Sequence, residues 1–198
     1  MSTPSAATLH PLGRHPDAGA AHDPRSRSFA LRIAAPPTDV LWAARIGVLD
    51  QLNLGSCTGN AEVGMLGSEP MFGTLSAAQQ GQLGEPLAVA FYSDATHLDP
   101  YRGQYPPDDT GSDGLSVMKA AKNRGFISGY LHAFDLNSAL AGLALRPEIT
   151  GVNWYSSFDR PDASGFVSIS PDAVVRGGHE FVAVGNDTVR RRVRARNS

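Results

Sequence analysis

Apolar and polar positions change rhythm twice along the chain. Residues 1–28 mix Ala, Pro, His, Arg and Asp without periodicity, which reads as an extended or flexible arm. The run Ser28-Phe29-Ala30-Leu31-Arg32-Ile33 reads as the first strand, ended by Pro36 and Pro37. From Gly55 the pattern becomes helical. Gly55-Ser56 forms a turn, Cys57 falls in the first helical turn, and the helix runs towards Leu66 and stops before Pro70. A second helix is expected from about Pro86 to Leu98. Gly, Pro-Pro and Asp residues mark Tyr101 to Gly114 as a surface loop. Leu115, Met118 and Ala121 share one face of a third helix, capped by Gly125. A short fourth helix follows, from about Asn137 to Leu145.

The last third turns to strands: Ile149 to Tyr155, Gly165 to Ile169, Glu180 to Gly185 and Thr188 to Arg196. Gly185-Asn186-Asp187 is a hairpin turn joining the last two, and turn chemistry accounts for Asn186. Helices first and strands second predict an α+β class. The expected division is an arm, 1–28, and one domain, 29–198, with no internal repeat.

Composition narrows this little. The chain has 198 residues, 41% hydrophobic and 18% charged, with a net charge of -2. That fits an ordinary globule and gives no whole-chain argument for a nucleic-acid or membrane partner. No apolar run approaches the ~20 residues that span a bilayer, and Met1 to Gly19 lacks a secretory signal pattern. The default compartment is therefore the cytoplasm. His10, His15, His22, His97 and His132 lack zinc spacing, and Asp108, Asp109 and Asp113 lack a full calcium loop and read as solvated. No metal or cofactor is expected. The five arginines from Arg190 to Arg196 read as a solvated strand face or a charge-protected edge.

The single cysteine excludes an intramolecular disulfide and a Cys-cluster metal site. A lone Cys is either an inert buried residue or a reactive thiolate. Its setting favours the second reading. A helix N-terminus favours negative charge, and the Gly55-Ser56 turn should leave the sulfur accessible. Gln51 lies six residues before Cys57. Gly177-Gly178-His179-Glu180-Phe181-Val182-Ala183-Val184-Gly185 sets a histidine at the opening of a hydrophobic strand, 122 residues after Cys57. Asn197 follows 18 residues after His179. Strand alternation puts it on one face with Val193 and Ala195, which are expected to point inward.

In this order, the blocks resemble papain-like cysteine peptidases, and the likeness covers roughly 29–198, nearest to compact bacterial and phage members. The resemblance implies a central helix carrying the nucleophile Cys57, packed on a C-terminal antiparallel sheet or partial barrel. It implies His179 as general base and acid, Asn197 as the residue orienting it, and Gln51 with the Cys57 N–H as the oxyanion hole. Gly111 and Ser112 match the loop that holds substrate backbone, and Gly178 borders the opposite wall. Three positions depart from the pattern: Leu54 stands where secreted members often have Cys, Thr58 replaces an aromatic, and the chain reaches Ser198 without the family's Trp that shields the His–Asn bond.

The reading is a cysteine endopeptidase acting on a peptide or protein substrate. The alternatives are a peptidoglycan stem-peptide endopeptidase and an inactive peptidase-fold module. That module would serve a larger assembly such as a virion, with a protein partner completing the sheet.

Overall fold

The computed structural model describes residues 12–14, 24–33 and 35–198. His10, His15, His22 and most of the 1–28 arm lie outside the described residues.

A ten-residue helix, α1 (Cys57–Leu66), is buried along its whole length. It has no polar face because other elements surround it, including the helix α4 (Glu85–Leu98) and the strand β3 (Val175–Asp187). Small residues permit the close packing. A Cβ on Gly59 would stand 2.0 Å from the carbonyl oxygen of Ala88 on α4, and one on Gly64 would stand 3.0 Å from Val182 on β3. Pro86 pre-sets the first turn of α4, and Leu87, Ala88, Phe91, Tyr92 and Ala95 form its buried stripe. Helix α5 (Gly114–Asn123) starts at Asp113, whose side chain accepts from Ser116 N at 2.8 Å, and ends before Gly125 at φ +76°. Helix α6 (Leu136–Leu143) is capped in the same way by Asp135.

Among the described residues the sheet is four-stranded, antiparallel and open, with β3 as its hub. β2 (Glu148–Tyr155) pairs with β3 from Val175 to Ala183, which sets Val152 opposite His179 and Gly151 opposite Glu180. β1 (Val40–Leu41) pairs with Gly185 and Asn186, and β4 (Arg192–Arg196) pairs from Val182 to Asp187. Helices packed on an antiparallel sheet match the predicted α+β class. Two one-turn helices, α2 (Met71–Thr74) and α3 (Ala77–Gln80), and the two-residue β1 are too short to show a hydrophobic period in the sequence.

Four expectations change. Pro24–Phe29 is a 3-10 helix, and only Ala30 bridges, to His132, so Ser28–Ile33 is not a strand. Gly165–Ile169 forms no strand. The last hairpin turns at 188–191, with Arg191 at φ 53°, and Asn186 lies within β3. The Asn186 amide donates to Thr38 O at 3.1 Å, so its role is to tie β3 to the chain before β1. Val193 and Ala195 are exposed; Arg196 is the partly buried member of β4, donating to Ile46 O at 2.7 Å. A bulge between Ala183 and Gly185 shifts the register against β4 and defeats a simple count by twos.

No helix among the described residues is long and apolar enough to cross a membrane.

Candidate active site

Cys57 is the first residue of α1, directly after its N-cap Ser56. The turn before it is tied down from across the fold. Gly55 N donates to both carboxylate oxygens of Asp109, at 3.1 and 2.9 Å, and the Tyr92 hydroxyl donates to the same carboxylate at 2.6 Å. Gly111 N in turn donates to the Tyr92 hydroxyl at 3.0 Å. Asp109 and Asp113 therefore both hold backbone N–H groups; Asp109 keeps the solvent exposure expected of the loop, whereas Asp113 is buried.

Gln51 is buried on the near side of this turn. Its Nε2 donates to Leu54 O at 2.9 Å and its Oε1 accepts from Ser198 Oγ at 3.0 Å, so the amide is oriented by groups at both ends. His179 lies in the middle of β3 instead of opening a strand, and it is 3% exposed. Its Nε2 is 2.6 Å from Asn197 Oδ1. That contact sets the tautomer: Nε2 carries the proton and Nδ1 is the basic nitrogen. Nδ1 is buried and has no hydrogen-bond partner among the described residues. Burial lowers the His179 pKa, against the smaller opposing effect of Asn197.

Trp154 of β2 closes the other side of the imidazole. The two rings meet edge to face with centroids 4.7 Å apart. The indole is fixed by donation to Asp159 at 2.9 Å, and Asp159 also pairs with Arg176. Sequence reasoning missed Trp154 because it looked for an aromatic beyond Asn197; the available signal was a Trp inside the expected strand Ile149 to Tyr155, and it stands two residues after Val152, the partner of the histidine.

The accessible thiol expected at Cys57 is not present in this state. Cys57 is 0% exposed, and its pKa is pushed up to about 12, first by burial and then by the charge of Glu180. Backbone hydrogen bonds from Glu180 and Gly13 and the charge of Arg14 act the other way and are outweighed. Burial costs a thiolate more than the helix start returns. His179 Nδ1 makes no hydrogen bond to Cys57; the sulfur instead meets the backbone of Gly13 and of Glu180, the residue after His179.

What covers the sulfur is the chain's own segment, residues 12–14. Gly13 O accepts from Ser112 N at 2.8 Å, and Arg14 N donates to Gly178 O at 3.2 Å. Arg14 thereby bridges Ser112 in parallel and Gly178 in antiparallel fashion. The segment runs as an extra strand between the two walls, which are the positions expected to hold substrate backbone. Its approach requires glycine on both sides. A Cβ on Gly13 would stand 1.7 Å from Gly55 O, and one on Gly111, itself at φ +70°, would stand 2.3 Å from Gly13 O. Ser112 is held by donation of its hydroxyl to Asp99 at 2.6 Å. Sequence reasoning left this segment in the arm, where nothing in its composition distinguishes it.

Among solved structures, xylellain, a cysteine protease from Xylella fastidiosa, superposes with a TM-score of 0.66 over 94% of this chain and 84% of its own, at 20% identity. This chain therefore shares the fold of that protein. No family model and no curated protein matches the sequence. Among the described residues no group of three or more His, Cys, Asp or Glu side chains could hold a metal ion.

Proposed function

We propose that the chain is a thiol-dependent endopeptidase that works through an acyl-enzyme on Cys57. The observation that carries this reading is the His179–Asn197 pair, which leaves a buried, basic Nδ1 one residue before Glu180, whose backbone bonds the sulfur of Cys57 at the start of a helix. In the reaction, Nδ1 takes the thiol proton and the sulfur adds to a peptide carbonyl. The Gln51 amide and the Cys57 N–H donate to the resulting oxyanion. The imidazolium gives its proton to the leaving amine, and water, deprotonated by the same nitrogen, hydrolyses the thioester.

Residues 12–14 must leave before a peptide can enter, since they use the Ser112 N–H and Gly178 carbonyl that a substrate backbone would use. The closed form is latent on this reading. Peptide-library hydrolysis by the full chain and by Cys57→Ala tests it: cleavage lost in the variant supports the reading, and equal cleavage sinks it.

The full burial of Cys57 favours a second reading, a peptidase-fold module in which the cleft stays shut. Rapid labelling of Cys57 by a thiol-directed peptide probe at neutral pH speaks against that module. A stem-peptide substrate is separated from ordinary proteins by mass spectrometry of digested cell wall, where absence of released muropeptides rejects it.

A further inference from the structure

Arg14 enters the cleft wall side chain first. Its side chain is 12% exposed, and its Nε lies 3.9 Å from Oε2 of Glu180, whose side chain is 3% exposed. The space it fills is made by missing side chains. Gly151 pairs with Glu180 across the β2–β3 ladder, so a side chain at 151 would share the face of Glu180. A Cβ there would stand 2.1 Å from Arg14 Nε, 2.7 Å from Cζ and 2.8 Å from Cδ. On another side, a Cβ on Gly114 would stand 2.5 Å from Glu180 Oε1. The result is a slot with an acidic floor beside His179, shaped to a guanidinium.

Stability alone is a poor reason for such a slot, because a buried ion pair seldom outperforms an apolar pair of similar volume. The local charge also calls for a cation. Glu62 of α1 is fully buried, has no hydrogen bond on either oxygen among the described residues, and lies close enough to Glu180 to feel its charge. When residues 12–14 leave, Glu180 loses the Arg14 guanidinium, and the neighbouring Glu62, held protonated near neutral pH by its burial, offers no cation in exchange. The backbone pairing at Ser112 and Gly178 would hold any peptide, so the slot is where side chains are told apart.

We propose that the slot bounded by Gly114, Gly151 and Glu180 is a substrate subsite that selects an arginine or lysine side chain, and that Arg14 is its resident occupant. The inference deepens the peptidase reading and takes the word substrate from it. A planar guanidinium lying over Gly151 is favoured over an ammonium, so arginine ranks first.

The test uses the full chain carrying Cys57→Ala and Arg14→Ala, which removes turnover and empties the slot. Fluorescent peptides in a positional scan compare Arg, Lys and norleucine by anisotropy. At one position, Arg binds at least roughly tenfold tighter than norleucine, as expected for a desolvated charge pair. Adding Glu180→Gln removes that preference, and adding Gly151→Ala weakens the Arg peptide more than the norleucine peptide. Equal binding at every position overturns the proposal, as does a preference that survives Glu180→Gln. Hydrolysis by the Arg14→Ala single variant is read separately. Selective binding without hydrolysis supports the subsite and removes the peptidase; hydrolysis without a basic preference removes the subsite and supports the peptidase. If Arg14→Ala fails to fold, Arg14→Gln replaces it in the same peptide scan and is read by the same outcomes.

Discussion

Asn197 Oδ1 lies 2.6 Å from His179 Nε2, so a residue just past β4 fixes the ring of a histidine in the middle of β3. Asn197 is itself exposed, and only its amide reaches inward. Asn197→Ala frees the ring to rotate and to bond water. Peptide hydrolysis by this variant should fall about 10–100-fold in kcat, the usual scale for a misoriented catalytic group, with little change in KM. Steady-state kinetics check this, and an unchanged kcat removes the orienting role.

Trp154 supplies part of the burial that lowers the His179 pKa. Trp154→Ala opens that side to water and relieves the penalty on the imidazolium. The His179 pKa should then rise towards the ordinary value of 6.5. A titration followed by NMR on the histidine ring reads the shift directly; a further fall would show that the indole does not act through desolvation.

The sequence singled out the candidate residues of this site and showed little of their state. Gln51, Cys57, His179 and Asn197 stood out because their spacing and flanking glycines are local features. The cover over Cys57 was invisible: Leu12-Gly13-Arg14 has no period and no apolar run, and its place depends on Gly55, Gly111 and Gly151, each far away in sequence. The β3–β4 register was misread for a similar reason, since the bulge at Ala183/Gly185 is a property of the pairing, not of either strand alone. The helices from Cys57, Glu85 and Gly114 were legible because caps, prolines and apolar spacing agree there.

Gly13→Val should expel the covering segment, because a Cβ at this position has nowhere to go beside Gly55 O. Exposure returns water to the sulfur and leaves the helix start in place, so the thiol pKa should drop from about 12 towards or below its usual 9.0. The rate of iodoacetamide alkylation at pH 7 should rise at least about tenfold, since thiolate is the reacting species. Alkylation no faster than in the unaltered chain would show that residues 12–14 do not control access.

Glu62 gives the protein a pH-dependent stability. Its pKa is raised from 4.5 to about 8, by burial first and by the charge of Glu180 second. A carboxyl raised on folding contributes stability that is complete below its unfolded pKa and lost as pH rises through its folded pKa. The chain should therefore lose stability between about pH 4.5 and pH 8 through this group. Glu62→Gln removes the titration and keeps the shape. The Tm of the variant relative to wild type should climb across that window by roughly 10–20 °C, at about 2–4 °C per kcal/mol for a domain of this size. Differential scanning calorimetry at a series of pH values checks it, and a Tm difference independent of pH would show that Glu62 does not titrate there.

The close passage of Gly13 over Gly55 also sets what any affinity measured on this chain means. If peptide binds only the form in which that crossing is undone, the observed dissociation constant equals the intrinsic one divided by the open fraction. With one molecule in a hundred open, an intrinsically micromolar peptide would register near 0.1 mM, about two orders of magnitude weaker. Ranking substrates by affinity would then be unaffected, because each carries the same factor, but the absolute scale would report the strength of the chain's hold on itself.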